Sequence, residues 1–177
     1  IALANGSIAL SAAYSALGIK ANDEVITTPR TFIATSSCAI LAGAKPVFAD
    51  LDEDSGLITP ETIEPLITSK TKLISVVHLA GWPASMQKIC ELAKNYNLKV
   101  LEDCSQAHGA KLKINNKWFS VGSFGDIGTW SFCTDKIIST GGEGGMITTN
   151  NSNLWDQIWS LKDHGKTFSS VSRKDHP

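Results

Sequence analysis

Two rhythms of apolar and polar positions alternate along the chain. Short apolar runs at residues 24–28, 46–50, 73–78 and 99–103 have the length of strands buried on both faces. Between them lie stretches with helical spacing. An Ala-rich run at 8–17 ends at Gly18, residues 31–42 stop at Gly43, and Thr59-Pro60-Glu61 opens a helix with proline at its first position. Met86, Ile89, Cys90, Ala93 and Tyr96 fall on one helical face, and residues 154–161, with Ile158 and Trp159, read as an amphipathic helix. Two later strands are expected at 128–132 and 146–149, and the polar stretch with Lys111, Lys113, Asn115, Asn116 and Lys117 predicts an exposed hairpin. This order of β and α predicts an α/β fold: a mostly parallel sheet with helices on both faces, a three-layer α/β/α sandwich. No internal repeat, low-complexity tract or linker interrupts it.

Composition narrows the picture. With 177 residues the chain can bury one real core, and 42% hydrophobic with 19% charged residues is ordinary for a globular domain. A formal net charge of -1, without a basic patch or a helix-turn-helix signal, gives no basis for binding nucleic acid or an anionic membrane. No apolar run approaches the roughly 20 residues of a membrane span and no signal peptide precedes the first helix, so a cytoplasmic protein is expected. Cys38, Cys90, Cys104 and Cys133 lack the paired spacing of a zinc site or redox dithiol and are expected reduced, mostly in the core. The sequence opens mid-pattern at Ile1 and stops at Asp175-His176-Pro177, as a fragment would.

Sheets of this kind bind ligands beyond the carboxyl ends of their strands. There the pattern places Thr28, the Thr31-Phe32 turn, His78 and Asp103. Asp103 ends a buried run and needs a partner, which a capped turn, a helix N-terminus or a positively charged ring nitrogen would each supply. Asn5-Gly6-Ser7 opens the first helix, either as a plain cap or as an anion site of free N–H groups and a hydroxyl. Residues 128–132 lead to Lys136, and four glycines then surround Glu143. A loop lysine is ordinarily a solvated cation, but desolvation or a neighbouring cation makes its amine a nucleophile towards carbonyls. Glycines at this density let backbone approach a bulky ligand. Together these are the parts that pyridoxal phosphate requires: an amine for the aldehyde, a helix N-terminus with hydroxyls for the phosphate, and a carboxylate for the pyridinium nitrogen. The candidates are Lys136; Gly6, Ser7 and the Ile8 amide, helped by Ser131; and Asp103, with Phe32 as the flat apolar neighbour of the ring.

These residues resemble the fold-type I, aspartate aminotransferase-like pyridoxal phosphate enzymes of the DegT/DnrJ/EryC1/StrS group. Asn5-Gly6-Ser7-Ile8-Ala9-Leu10 is similar to the group's phosphate-binding Ser-Gly-Thr-x-Ala-Leu, and Thr31-Phe32-Ile33-Ala34-Thr35 to its Thr-aromatic-x-Ala-Thr segment. Glu102-Asp103-Cys104-Ser105-Gln106-Ala107-His108-Gly109 resembles Glu-Asp-x-x-Gln-x-x-Gly, and Ser131-Phe132 with Lys136 and Gly142-Glu143-Gly144-Gly145 resembles the lysine motif. Asn5 and Ser7 replace the commoner Ser and Thr, and Ile137 stands where an asparagine often follows the lysine.

The resemblance implies a large domain over residues 1–177, partial because an N-terminal segment and a smaller C-terminal domain are missing. It implies that Lys136 forms the Schiff base and moves the proton, Asp103 pairs with the pyridinium nitrogen, and Gln106 lies near the ring hydroxyl. Gly6, Ser7, the Ile8 backbone and Ser131 would hold the phosphate, and Phe32 would stack on the ring. No metal is implied. The expected activity is transfer of an amino group from an amino acid, glutamate foremost, to a nucleotide-linked keto sugar, in a homodimer that shares its active site. A sugar dehydratase of the same group is one alternative, in which a histidine replaces the lysine; a non-catalytic regulatory relative is another. His78 and His108 match recurring positions and are expected to be hydrogen-bonded within the architecture, without chemistry of their own.

Overall fold

The computed structural model describes residues 1–171; the last six positions of the domain expected over residues 1–177 lie outside the described residues. Seven strands form one sheet: β1 (Ala2–Leu3), β2 (Glu24–Thr27), β3 (Lys45–Phe48), β4 (Thr71–Val77), β5 (Lys99–Asp103), β8 (Ile127–Ser131) and β9 (Gly145–Thr148). Their spatial order is β1-β9-β8-β5-β4-β2-β3. The five strands from β3 to β8 are parallel, while β9 returns antiparallel beside β8 and β1 pairs antiparallel with β9. A separate antiparallel hairpin, β6 (Lys111–Ile114) and β7 (Lys117–Ser120), turns through Asn115 and Asn116, both in the left-handed region. Asparagine tolerates that conformation, which is why the exposed hairpin was legible.

The alternation of side chains along each strand assigns the two faces. Val25, Leu73 and Leu101 pack on one face with helices α1 (Gly6–Ala16), α2 (Ala34–Leu41) and α5 (Ser152–Lys162), through Leu10, Tyr14, Ala39 and Ile158. Ile26, Ile74 and Val100 point the other way, onto α3 (Pro60–Ile63) and α4 (Met86–Asn95), through Ile63, Met86 and Ile89. These strands are apolar on both sides because both sides are covered, giving the expected three layers. A short helix α6 (Phe168–Val171) closes the described chain, where Phe168 meets Trp155 and Trp159 edge-on. The first helix ends as its glycine predicts, with Gly18 at φ +74°. All four cysteines are free, Cys38 and Cys104 buried, Cys90 and Cys133 half-buried. Among the described residues no helix is long and apolar enough to cross a membrane.

Candidate active site

Because β2, β4, β5 and β8 run parallel, their carboxyl ends share one edge of the sheet, and a cavity of about 400 Å³ opens there. Gly6, Ser7, Phe32, Asp103, Gln106, Ser131 and Lys136 all line it. The amine of Lys136 and the carboxylate of Asp103 therefore face one space. Asn5, Thr31, Ser105, Cys133, Asp135 and Glu143 complete its polar wall. Ile8 does not belong to that wall. Its N–H donates to Asn5 Oδ1 at 2.9 Å, so the amide that the sequence offers to a phosphate is consumed by the helix cap.

At the start of α1, the Asn5 carbonyl also accepts the Ala9 N–H. The Gly6 and Ser7 amides and the Ser7 and Ser131 hydroxyls remain for a ligand. Gly6 has no room for a side chain: a Cβ there would lie 2.7 Å from Ser131 Cβ. Glycine thus lets the positive end of the helix close onto the end of β8, making a compact anion cradle.

Asp103 ends β5 and is 4% exposed. Its Oδ1 accepts the Ser105 N–H at 3.1 Å and the Ser105 hydroxyl at 2.6 Å, and its Oδ2 accepts the Thr35 hydroxyl at 2.9 Å. It takes part in no ion pair among the described residues. A buried carboxylate facing a cavity with only neutral donors suits a cationic ring nitrogen. Of the three partners weighed for this residue, the capped turn is present, while Oδ2 keeps a side open to the cavity.

Lys136 sits in the excursion from β8 to β9, which is tied off by Phe132 N–H to the Gly144 carbonyl at 2.8 Å and Thr140 N–H to the Phe132 carbonyl at 3.2 Å. Its side chain is 16% exposed, with Nζ 3.6 Å from Asp135 Oδ1. A hydrogen bond from the Cys133 thiol and then the Lys136 charge hold the Asp135 carboxyl below its ordinary range. Phe32 also lines the cavity and presents an exposed ring. Gln106 is oriented by Ala80, whose N–H donates to Gln106 Oε1 at 2.7 Å; the Gln106 amide nitrogen is left to donate towards the cavity. Ala80 itself has φ +54°, an unusual conformation for a residue with a side chain.

Sequence reasoning missed three supports. Glu102, fully buried, accepts the N–H groups of Gly122 (2.8 Å), Phe124 (2.8 Å) and Gly125 (2.7 Å) and lies 3.0 Å from His78 Nε2. His78 Nδ1 accepts the Ala84 N–H at 3.1 Å, so the proton is on Nε2 and the ring donates it to Glu102. Burial pushes the Glu102 carboxyl up, but the His78 bond and the Gly125 and Gly122 amides outweigh it, and the net direction is down. The second support is Thr35, treated below. The third is His108, which the sequence expects to be hydrogen-bonded; instead neither ring nitrogen has a partner, and the ring lies 5.6 Å from that of Trp130 and 5.2 Å from that of Phe132. Burial lowers its pKa most, the Ser131 backbone opposes with the next largest effect, and the Lys136 charge lowers it slightly further. All three lie in motifs that the sequence shows, at 31–35 and 102–109, but nothing local revealed what each one holds.

The layered sheet and the site on its carboxyl edge define the large domain of a fold-type I pyridoxal phosphate enzyme. The chain belongs to the DegT/DnrJ/EryC1/StrS aminotransferase family, whose profile matches residues 1–176. It is 46% identical over 163 residues to the GDP-perosamine synthase of Escherichia coli O157:H7, covering 92% of this chain and 43% of that protein. It is 44% identical over 165 residues to a UDP-N-acetyl-3-dehydro-alpha-D-glucosamine 3-aminotransferase of Acidithiobacillus ferrooxidans, covering 93% and 44%. An aminotransferase structure from Psychrobacter cryohalolentis superposes with a TM-score of 0.95 at 56% identity, over 100% of this chain and 44% of that one. A Bacillus subtilis structure with bound PMP superposes at a TM-score of 0.88 and 34% identity, over 99% and 38%. The chain thus spans less than half the length of these relatives. The cofactor of the family is pyridoxal phosphate, and the cavity offers the amine, the unpaired carboxylate and the anion cradle that it needs.

Proposed function

We propose that the full-length protein transfers an amino group from an amino acid, glutamate foremost, to a keto sugar carried on a nucleotide. The observation that carries this reading is the convergence of Lys136, Asp103 and the N-terminus of α1 on one cavity. Sugar aminotransferase names among the relatives support the choice of acceptor.

Bound pyridoxal phosphate supplies an aldehyde for condensation with amines and an electron sink for the carbanion formed when the α-proton leaves. The residues of this chain do the rest. The Gly6 and Ser7 amides with the Ser7 and Ser131 hydroxyls would hold the phosphate, and the Asp103 carboxylate would favour a protonated ring nitrogen. Gln106 would donate to an oxygen of the bound cofactor, and the Phe32 ring would pack against it and exclude water. Lys136 would hold the cofactor through its Nζ amine, and as a free base at that position it would take up and return a proton. The dehydratase alternative loses support because it calls for a histidine where this chain has Lys136.

Exposed apolar side chains near the site, Phe32, Ile33 and Ile137, at 66%, 70% and 68% exposure, support a further protein surface over the rim, as a homodimer would provide. Borohydride reduction of the full-length protein followed by peptide mass mapping should place a pyridoxyl adduct on Lys136, and Lys136→Ala should remove it. An adduct on another lysine overturns the assignment.

A further inference from the structure

Thr35 lies in the first turn of α2, is fully buried, and gives its hydroxyl proton to Asp103 Oδ2 at 2.9 Å. The Thr35 oxygen is also 2.9 Å from the Thr31 hydroxyl. Thr35 has one hydroxyl proton and an ionised carboxylate cannot donate, so the direction of the chain is fixed: Thr31 donates to Thr35, which donates to Asp103. A hydroxyl that accepts while donating is a stronger donor.

The carboxylate has about four acceptor positions. Ser105 takes two on Oδ1, and Thr35 takes one on Oδ2. One position on Oδ2 is left for the cavity. Tyr14, Cys38 and Cys104 are all pushed up, first by burial and further by the negative charge of Asp103 itself, and so stay neutral. Tyr14 also fixes this corner, donating to the Thr35 carbonyl at 2.8 Å.

We propose that Thr35 is the positioning residue for the cofactor-facing carboxylate: it aims Oδ2 of Asp103 so that one acceptor site points at the ring nitrogen. This rests on the functional reading above. Without the hydroxyl, the carboxylate can rotate about its terminal bond and the Thr31 proton loses its acceptor. Thr35 does not line the cavity, so its effect is transmitted through Asp103.

The test uses full-length protein loaded with pyridoxal phosphate labelled with ¹⁵N in the ring. In the wild type the ring nitrogen should resonate as a protonated pyridinium. In Thr35→Val, which keeps the shape and deletes the donor, the resonance should move towards the unprotonated position and cofactor affinity should fall about tenfold. Thr35→Ser should restore both. If Thr35→Val does not fold, Thr31→Val should show a smaller displacement of the same sign. An unmoved nitrogen resonance in whichever of these two valine variants folds, or a displacement in Thr35→Val that serine leaves uncorrected, overturns the proposal. A wild-type protein that takes up no cofactor would instead sink the functional reading itself.

Discussion

Glu102 shows how a single side chain holds the site together without entering it. Its two oxygens gather three backbone amides and the His78 ring, and so bind the ends of β4 and β5 to the turn at Gly122–Gly125. Replacing one oxygen by an amide group would aim N–H at N–H. Glu102→Gln should therefore cost about 3 kcal/mol of stability, read from the urea midpoint of the full-length protein. The charge also sets a pH dependence. The folded carboxyl titrates below its ordinary 4.5, so its contribution is intact above that pH and is lost as pH falls through the folded value. Acid unfolding should lose part of its steepness in Glu102→Gln, since the variant has no proton to take up there. The identity of Asp103 as a carboxylate at a strand end was legible from the sequence. Its partner Thr35 was not, because Thr35 lies 68 residues away in the chain and a hydroxyl leaves no periodic trace.

At the scale of elements, local pattern carried far. Strand β5 falls on its predicted residues, and β2 and β4 lie within two residues of theirs, since strands buried on both sides cannot hide their apolar runs. The predicted helix at 31–42 begins later, at Ala34. Thr31 and Phe32 belong instead to the turn that lines the cavity, a tertiary demand that overrides propensity. Strand direction was equally hidden: nothing in residues 146–149 tells that β9 runs antiparallel to β8. The contact between α1 and β8 makes a prediction of its own. Gly6→Ala would drive a methyl into Ser131, so the helix must retreat from the strand. Cofactor affinity should fall by about tenfold or more as the anion cradle widens, measured by equilibrium dialysis of the full-length protein.

The whole molecule adds what no element contains. The cavity has a floor from this chain and a rim of exposed apolar side chains, and the chain spans 43% of a relative 46% identical to it. Residues 1–177 expressed alone should therefore turn over weakly or not at all beside the full-length protein, as a coupled assay for 2-oxoglutarate would show. Wild-type-like turnover by the segment would contradict the proposal that the rest of the protein closes the site.

One pairing has a consequence in time. The strand at Ala2–Leu3 is zipped to Gly145–Met146, and Gly6 leans on Ser131. At ribosomal speeds of roughly 5–20 residues per second, residues 2–6 wait many seconds for the neighbours, some 125–140 positions later, that complete them. The phosphate cradle is thus half made well before its second wall is translated, and for that interval the nascent chain carries an orphaned helix that a chaperone could hold.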